Sequence, residues 1–98
     1  MQTPEIKTLV HSQAEIAREC DAIKDMLLEK NRKYGDSALN PLRVFSKADP
    51  IEQINVRLDD KLSRIRNAQA DDDEDAELDL IGYLILKRVA KKRSVGLG

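Results

Sequence analysis

The sequence predicts an all-α fold, a three-helix antiparallel bundle, and three observations carry that expectation. Apolar residues recur at three- and four-residue steps in three separate stretches, the period of a helix buried along one side. No stretch alternates apolar and polar residues as a half-buried strand does. All three prolines stand outside those stretches or at their first positions, where proline is tolerated. At 98 residues the chain makes one domain, because it is too short for two independent cores.

The first helix is expected over residues 4–34. Thr3 can cap it, and Pro4 suits the first helical position, where a missing N–H costs nothing. Ile6, Leu9, Ile16, Cys20, Ile23 and Leu27 form its apolar stripe, and the same rotation then reaches Asn31 and Tyr34. Gly35 supplies the stop. The second helix, over 50–68, opens on Asp49-Pro50-Ile51-Glu52, a capping box with proline at the first position. Its stripe is Ile51, Ile54, Leu58, Leu62 and Ile65. Beside the stripe run Arg57, Lys61 and Arg64, with Asp60 adjacent; they read either as a solvated face with internal ion pairs or as a phosphate-binding strip.

The third helix, over 73–92, carries its acids at the N-terminal end and its bases at the C-terminal end, as the helix dipole favours. Leu78, Ile81, Ile85 and Val89 are its expected core stripe, and Leu80 and Leu84 are expected on the far side. A helix apolar on two faces needs two partners, so a homo-oligomer is expected. Asp79 lies one turn inside, on the same face as Asp75. Between the first two helices, residues 35–49 form a loop flanked by Tyr34 and holding Phe45, two of the three aromatic residues. Leu42 and Phe45 are expected to anchor it, either as the plain corner of a bundle or as an ordered binding loop.

Composition narrows the function classes. A net charge of −1 argues against a general polyanion binder, so direct nucleic-acid binding is not expected despite the Lys87–Arg93 cluster. A lone cysteine, Cys20, excludes an internal disulfide and suits a reducing compartment. No apolar run approaches the roughly 18 residues of a membrane span, so a cytosolic protein is expected. His11 is the only histidine, which disfavours Ser/His or Cys/His catalysis. Any reaction chemistry would come from carboxylates and a metal.

Three blocks, "KNRKYGDSALNP", "VRLDDKLSRIRN" and "DAELDLIGYLIL", resemble in this order the phage nucleotide-modification-associated domain family, a relative of the MazG-like all-α nucleotide pyrophosphohydrolases. The resemblance spans roughly residues 28–88. It implies a nucleotide ligand, a phage origin with the host cytoplasm as location, and marks Asn31, Tyr34, Gly35, Asn40, Asp60, Lys61, Arg64, Asp75, Asp79, Gly82 and Tyr83. A MazG-like pyrophosphohydrolase would hold Mg²⁺ with Asp75 and Asp79, joined by Glu19, against the phosphates. Lys61 and Arg64, beside Arg57, would offset charge on the leaving pyrophosphate, with Asp79 and Lys61 as the catalytic pair. Tyr34 or Tyr83 would stack on the base, and Asn31 or Asn40 would read its edge. One departure stands out. MazG-like enzymes commonly use Glu-x-x-Glu and Glu-x-x-Asp pairs on neighbouring helices, whereas here Glu15/Glu19 and Asp75/Asp79 are spaced i, i+4 and the second helix presents cations. That departure favours the alternative of a non-catalytic phage sponge sequestering a nucleotide or cyclic-nucleotide defence signal. A helical interaction module without a small ligand is the third reading.

Overall fold

A computed structural model of the chain describes residues 4–67 and 75–96. Three helices follow in order, α1 (Pro4–Lys33), α2 (Pro50–Arg66) and α3 (Ala76–Ser94), and no strand occurs among the described residues. The all-α expectation holds. The expected cap at Thr3, the last expected residue of the second helix at 68 and the expected start of the third at 73 lie outside the described residues.

Each described helix end has a local chemical cause. Gly35 takes φ +63° after α1, and the Asp36 N–H reaches back to the Asn31 carbonyl at 3.0 Å while the Gly35 N–H reaches Arg32 at 3.4 Å. This pair of bonds is a Schellman motif, which satisfies carbonyls left without helical partners. Asp49 caps α2 by accepting from the Glu52 N–H at 2.8 Å, with Pro50 next to it. The return half of the expected capping box is replaced: the Glu52 carboxylate accepts from the Asn55 amide at 3.1 Å. Asp75 caps α3, accepting from the Leu78 N–H at 3.0 Å.

α2 and α3 pack as an antiparallel hairpin. Leu39, Ile54, Leu58 and Ala90 form the buried cluster, with Ile51, Leu80, Tyr83, Leu86 and Val89 packed against it. α1 packs on α3 through its second half, where Ile23 is buried and Leu27 lies against Gly82. A Cβ at Gly82 would stand 2.9 Å from Leu27 Cδ2, so the leucine tip could keep its present place only against a glycine. The expected three-helix bundle is therefore a helical hairpin with a third helix leaning on it by one end. α1 is about 45 Å long at 1.5 Å per residue, and no residue of 8–22 is buried. The radius of gyration, 17.3 Å, accordingly exceeds the roughly 13 Å of a compact chain of this length.

Three expectations about packing are corrected. The expected faces of α3 are partly exchanged: Leu80, expected outward, packs on the hairpin core beside Val89, while Ile81 and Ile85, expected in the core stripe, join Leu84 on the exposed side. Periodicity could not choose between them: a helix apolar on most sides has no single stripe, and the inward face is the one that also carries Asp79, Gly82 and Tyr83. On α2 the stripe is buried only as far as Leu58; Leu62 and Ile65 are exposed and Lys61 is buried in their place. Leu42 and Phe45 do not pin the loop, being 87% and 97% exposed. Leu39 is the loop residue that enters the core instead. No described helix is long and apolar enough to cross a membrane.

Candidate functional site

A cleft of about 360 Å³ opens where the end of α1, the middle of α2 and the start of α3 converge. Asp79 is the one carboxylate among its lining residues. The carboxylate accepts from Lys30 Nζ through Oδ1 at 3.2 Å and pairs with Lys61 Nζ through Oδ2, also at 3.2 Å. One ionic node thus joins all three helices. Lys61 is 7% exposed, and a buried ammonium requires such a partner. The Lys30 end of the node is half-exposed, so water weakens that pair more than the other.

The cleft wall also carries Arg57, one turn before Lys61 on α2, together with Asn31, Tyr34 and Tyr83. Lys30, Arg57 and Lys61 against Asp79 give three positive charges and one negative, a net +2 in a chain of net −1. Tyr34 is mostly exposed, and the Lys33 ammonium stands 5.4 Å from its ring centroid, within cation–π range. Arg57 and Tyr83, with Ser37 and Ala38, also border a second recess of about 320 Å³ that runs towards Leu42, Gln53 and Ile54.

The loop at the cleft mouth is held by a residue that sequence reasoning missed. Asp36 sits at φ +62°, and its carboxylate accepts from the Asn31 amide at 2.7 Å and from the Asn40 amide. Asn31 and Asn40 are therefore brought together, but as donors to Asp36; Asn40 does not line the cleft. The signal was present as Asn-x₄-Asp-x₃-Asn around a glycine stop, since Asp tolerates the left-handed region better than most residues. Lys30 was missed too. It continues the Ile23–Leu27 stripe by three residues, whereas extension by four leads to Asn31.

Several expected site residues lie elsewhere. Arg64 is not on the cleft wall and pairs with Asp60 at 3.2 Å, as a helical i, i+4 pair does. Asp75 spends its carboxylate on the α3 cap. Glu19 is exposed, eleven residues before Lys30 and so about 16 Å along α1 from the node. Among the described residues no group of three or more His, Cys, Asp or Glu side chains converges. The donor set Asp75, Asp79 and Glu19 does not fit a resident Mg²⁺, which takes oxygens in near-octahedral array; both Asp79 oxygens already face ammonium groups.

No family model, curated protein or solved structure matches this chain. What the cleft can do must be read from its own groups. It presents cations to an anion, flat rings to a planar group, and a carboxylate that holds two of the cations in position.

Proposed function

We propose that this chain binds a nucleotide in the three-helix cleft, phosphate towards Lys30, Arg57 and Lys61 and base towards Tyr34 or Tyr83, without hydrolysing it. One observation carries the reading: residues distant in sequence converge on a recess that combines net positive charge with two phenol rings. A cation pair preset by Asp79 loses little freedom when phosphate arrives, which favours affinity. The pairing of both Asp79 oxygens with lysine ammonium groups supports sequestration over the metal-dependent pyrophosphohydrolase reading. The resemblance to the nucleotide-modification-associated and MazG-like families, in the three sequence blocks, supports the ligand class.

The test is calorimetry of the purified protein with nucleoside triphosphates, monophosphates and cyclic nucleotides, in Mg²⁺ and in EDTA, followed by chromatography of the recovered nucleotide. Binding that persists in EDTA with every nucleotide recovered intact is expected. Arg57→Ala should weaken it about 10- to 100-fold, the equivalent of one charge-assisted hydrogen bond. Mg²⁺-dependent release of pyrophosphate would establish the enzyme reading instead. No binding of any nucleotide would leave the helical interaction module.

A further inference from the structure

The exposed half of α1 and the outward face of α3 are two apolar surfaces with nothing opposite them among the described residues. Leu9 and Ile16 are 58% and 62% exposed and continue the stripe that, farther along the same helix, buries Ile23 and seats Leu27 on α3. On α3, Ile81, Leu84 and Ile85 make a three-residue exposed patch on the side turned away from the hairpin core. A helix projecting alone gains no packing energy, and in proteins most helical stability comes from packing an apolar face. Exposed contiguous apolar surface marks a contact site.

We infer that the projecting part of α1 in one copy of this chain seats on the Ile81–Leu84–Ile85 face of α3 in a second copy, reciprocally, giving a two-fold dimer. Charge selects this occupant. Glu15 and Glu19 flank Ile16 on the α1 arm, while Arg88 and Lys92 follow the apolar patch along α3, and all four are exposed. Apolar contact then brings acids beside bases. Packing one arm against another arm would instead place Glu15 and Glu19 near their own copies, and like charges in register are unfavourable. The two surfaces differ, so each copy supplies an arm and a seat, and the two-fold contact closes without leaving a free end.

The experiment is light scattering of the full chain with two double variants, Glu15→Lys/Glu19→Lys and Arg88→Glu/Lys92→Glu. The parent should run at twice the 11.1 kDa chain mass. Each double variant alone should run as a monomer, because arm and seat then carry the same sign. An equimolar mixture should recover the dimer, since in the mixed pair both arm–seat contacts are again opposite in sign. Recovery on mixing also shows that both variants are folded. A monomeric parent at high micromolar concentration overturns the inference. So does an assembly that survives both double variants, or variants that stay apart when mixed. Loss of assembly in Ile16→Glu with none in Leu84→Glu would assign the contact to paired arms and overturn the seat on α3.

Discussion

Asp79 is the residue on which the site's two possible chemistries turn. As a metal ligand it would need free oxygens directed at a cation site; in the structure each oxygen has an ammonium 3.2 Å away. Asp79→Asn keeps one acceptor oxygen and removes the negative charge. Of the two lysines, Lys61 suffers more, because it is buried where Lys30 is half-exposed. The variant should lose about 1–3 kcal/mol in urea unfolding, and its cleft charge rises from +2 to +3. Inorganic pyrophosphate should therefore bind the variant at least as tightly as the parent. Unchanged stability would show that the node contributes nothing to the fold; weakened anion binding would show that the placing of the two lysines by Asp79 outweighs the repulsion of its charge. Gly82, beside it, gives a second test. An alanine there improves helix propensity by about 1 kcal/mol, yet its Cβ meets Leu27 Cδ2 at 2.9 Å. A leucine tip can rotate away, so unfolding free energy should change by less than about 1 kcal/mol. Leu27 lines the cleft, and its displacement should weaken nucleotide binding; unaltered affinity would mean that the ligand lies away from α1.

At the scale of elements, the stop of α1 decides where the cleft mouth stands. Gly35 and Asp36 both have positive φ, and the Schellman bonds depend on the first of them. Gly35→Ala puts a Cβ into the left-handed region and should cost about 1–2 kcal/mol, read as a lower urea midpoint at constant slope. A loss no larger than that of a mid-helix surface substitution would mean that the turn adapts freely. This stop was legible from Gly35 alone, as were Asp49-Pro50 and the polarity of charge along α3, because capping is local chemistry. Which face of α3 turned inward was not legible. Leu78, Leu80, Ile81, Leu84 and Ile85 are interchangeable by hydropathy, and only the tertiary approach of Leu27 to Gly82 breaks the tie. The cleft was legible in part for the same reason. Tyr34, Lys61 and Asp79 sit at positions that local spacing could rank, and Tyr83 was marked by the resemblance alone, but the Lys30–Asp79 pair spans 49 residues and leaves no local trace. Phe45 misled because rarity of aromatics suggests burial, whereas nothing among the described residues covers that part of the loop.

The described residues bury little apolar surface for their number. Among the described residues the buried apolar side chains are Ile23, Leu39, Ile54, Leu58 and Ala90, and Ile54 alone is almost fully enclosed, at 2% exposure. A small domain stands only a few kcal/mol above unfolding, so apolar surface left in water by the subunit is stability not yet used. Leu9, Ile16, Ile81, Leu84 and Ile85 all belong to that surface. If they are covered by a second copy, folding and association share one free energy, and the folded state is favoured by mass action. The melting temperature should then climb steadily as protein concentration rises from the low to the high micromolar range. Leu84→Glu should flatten that dependence and lower the melting temperature towards the dilute limit, because the exposed face then rejects its partner. Ile54→Ala behaves differently: it removes core contact within each subunit, costs about 2–5 kcal/mol, and should depress melting at every concentration while the slope with concentration persists. A parent whose melting temperature ignores concentration would mean that the subunit stands on its hairpin core alone, and the exposed faces of α1 and α3 would then contribute nothing to holding it together.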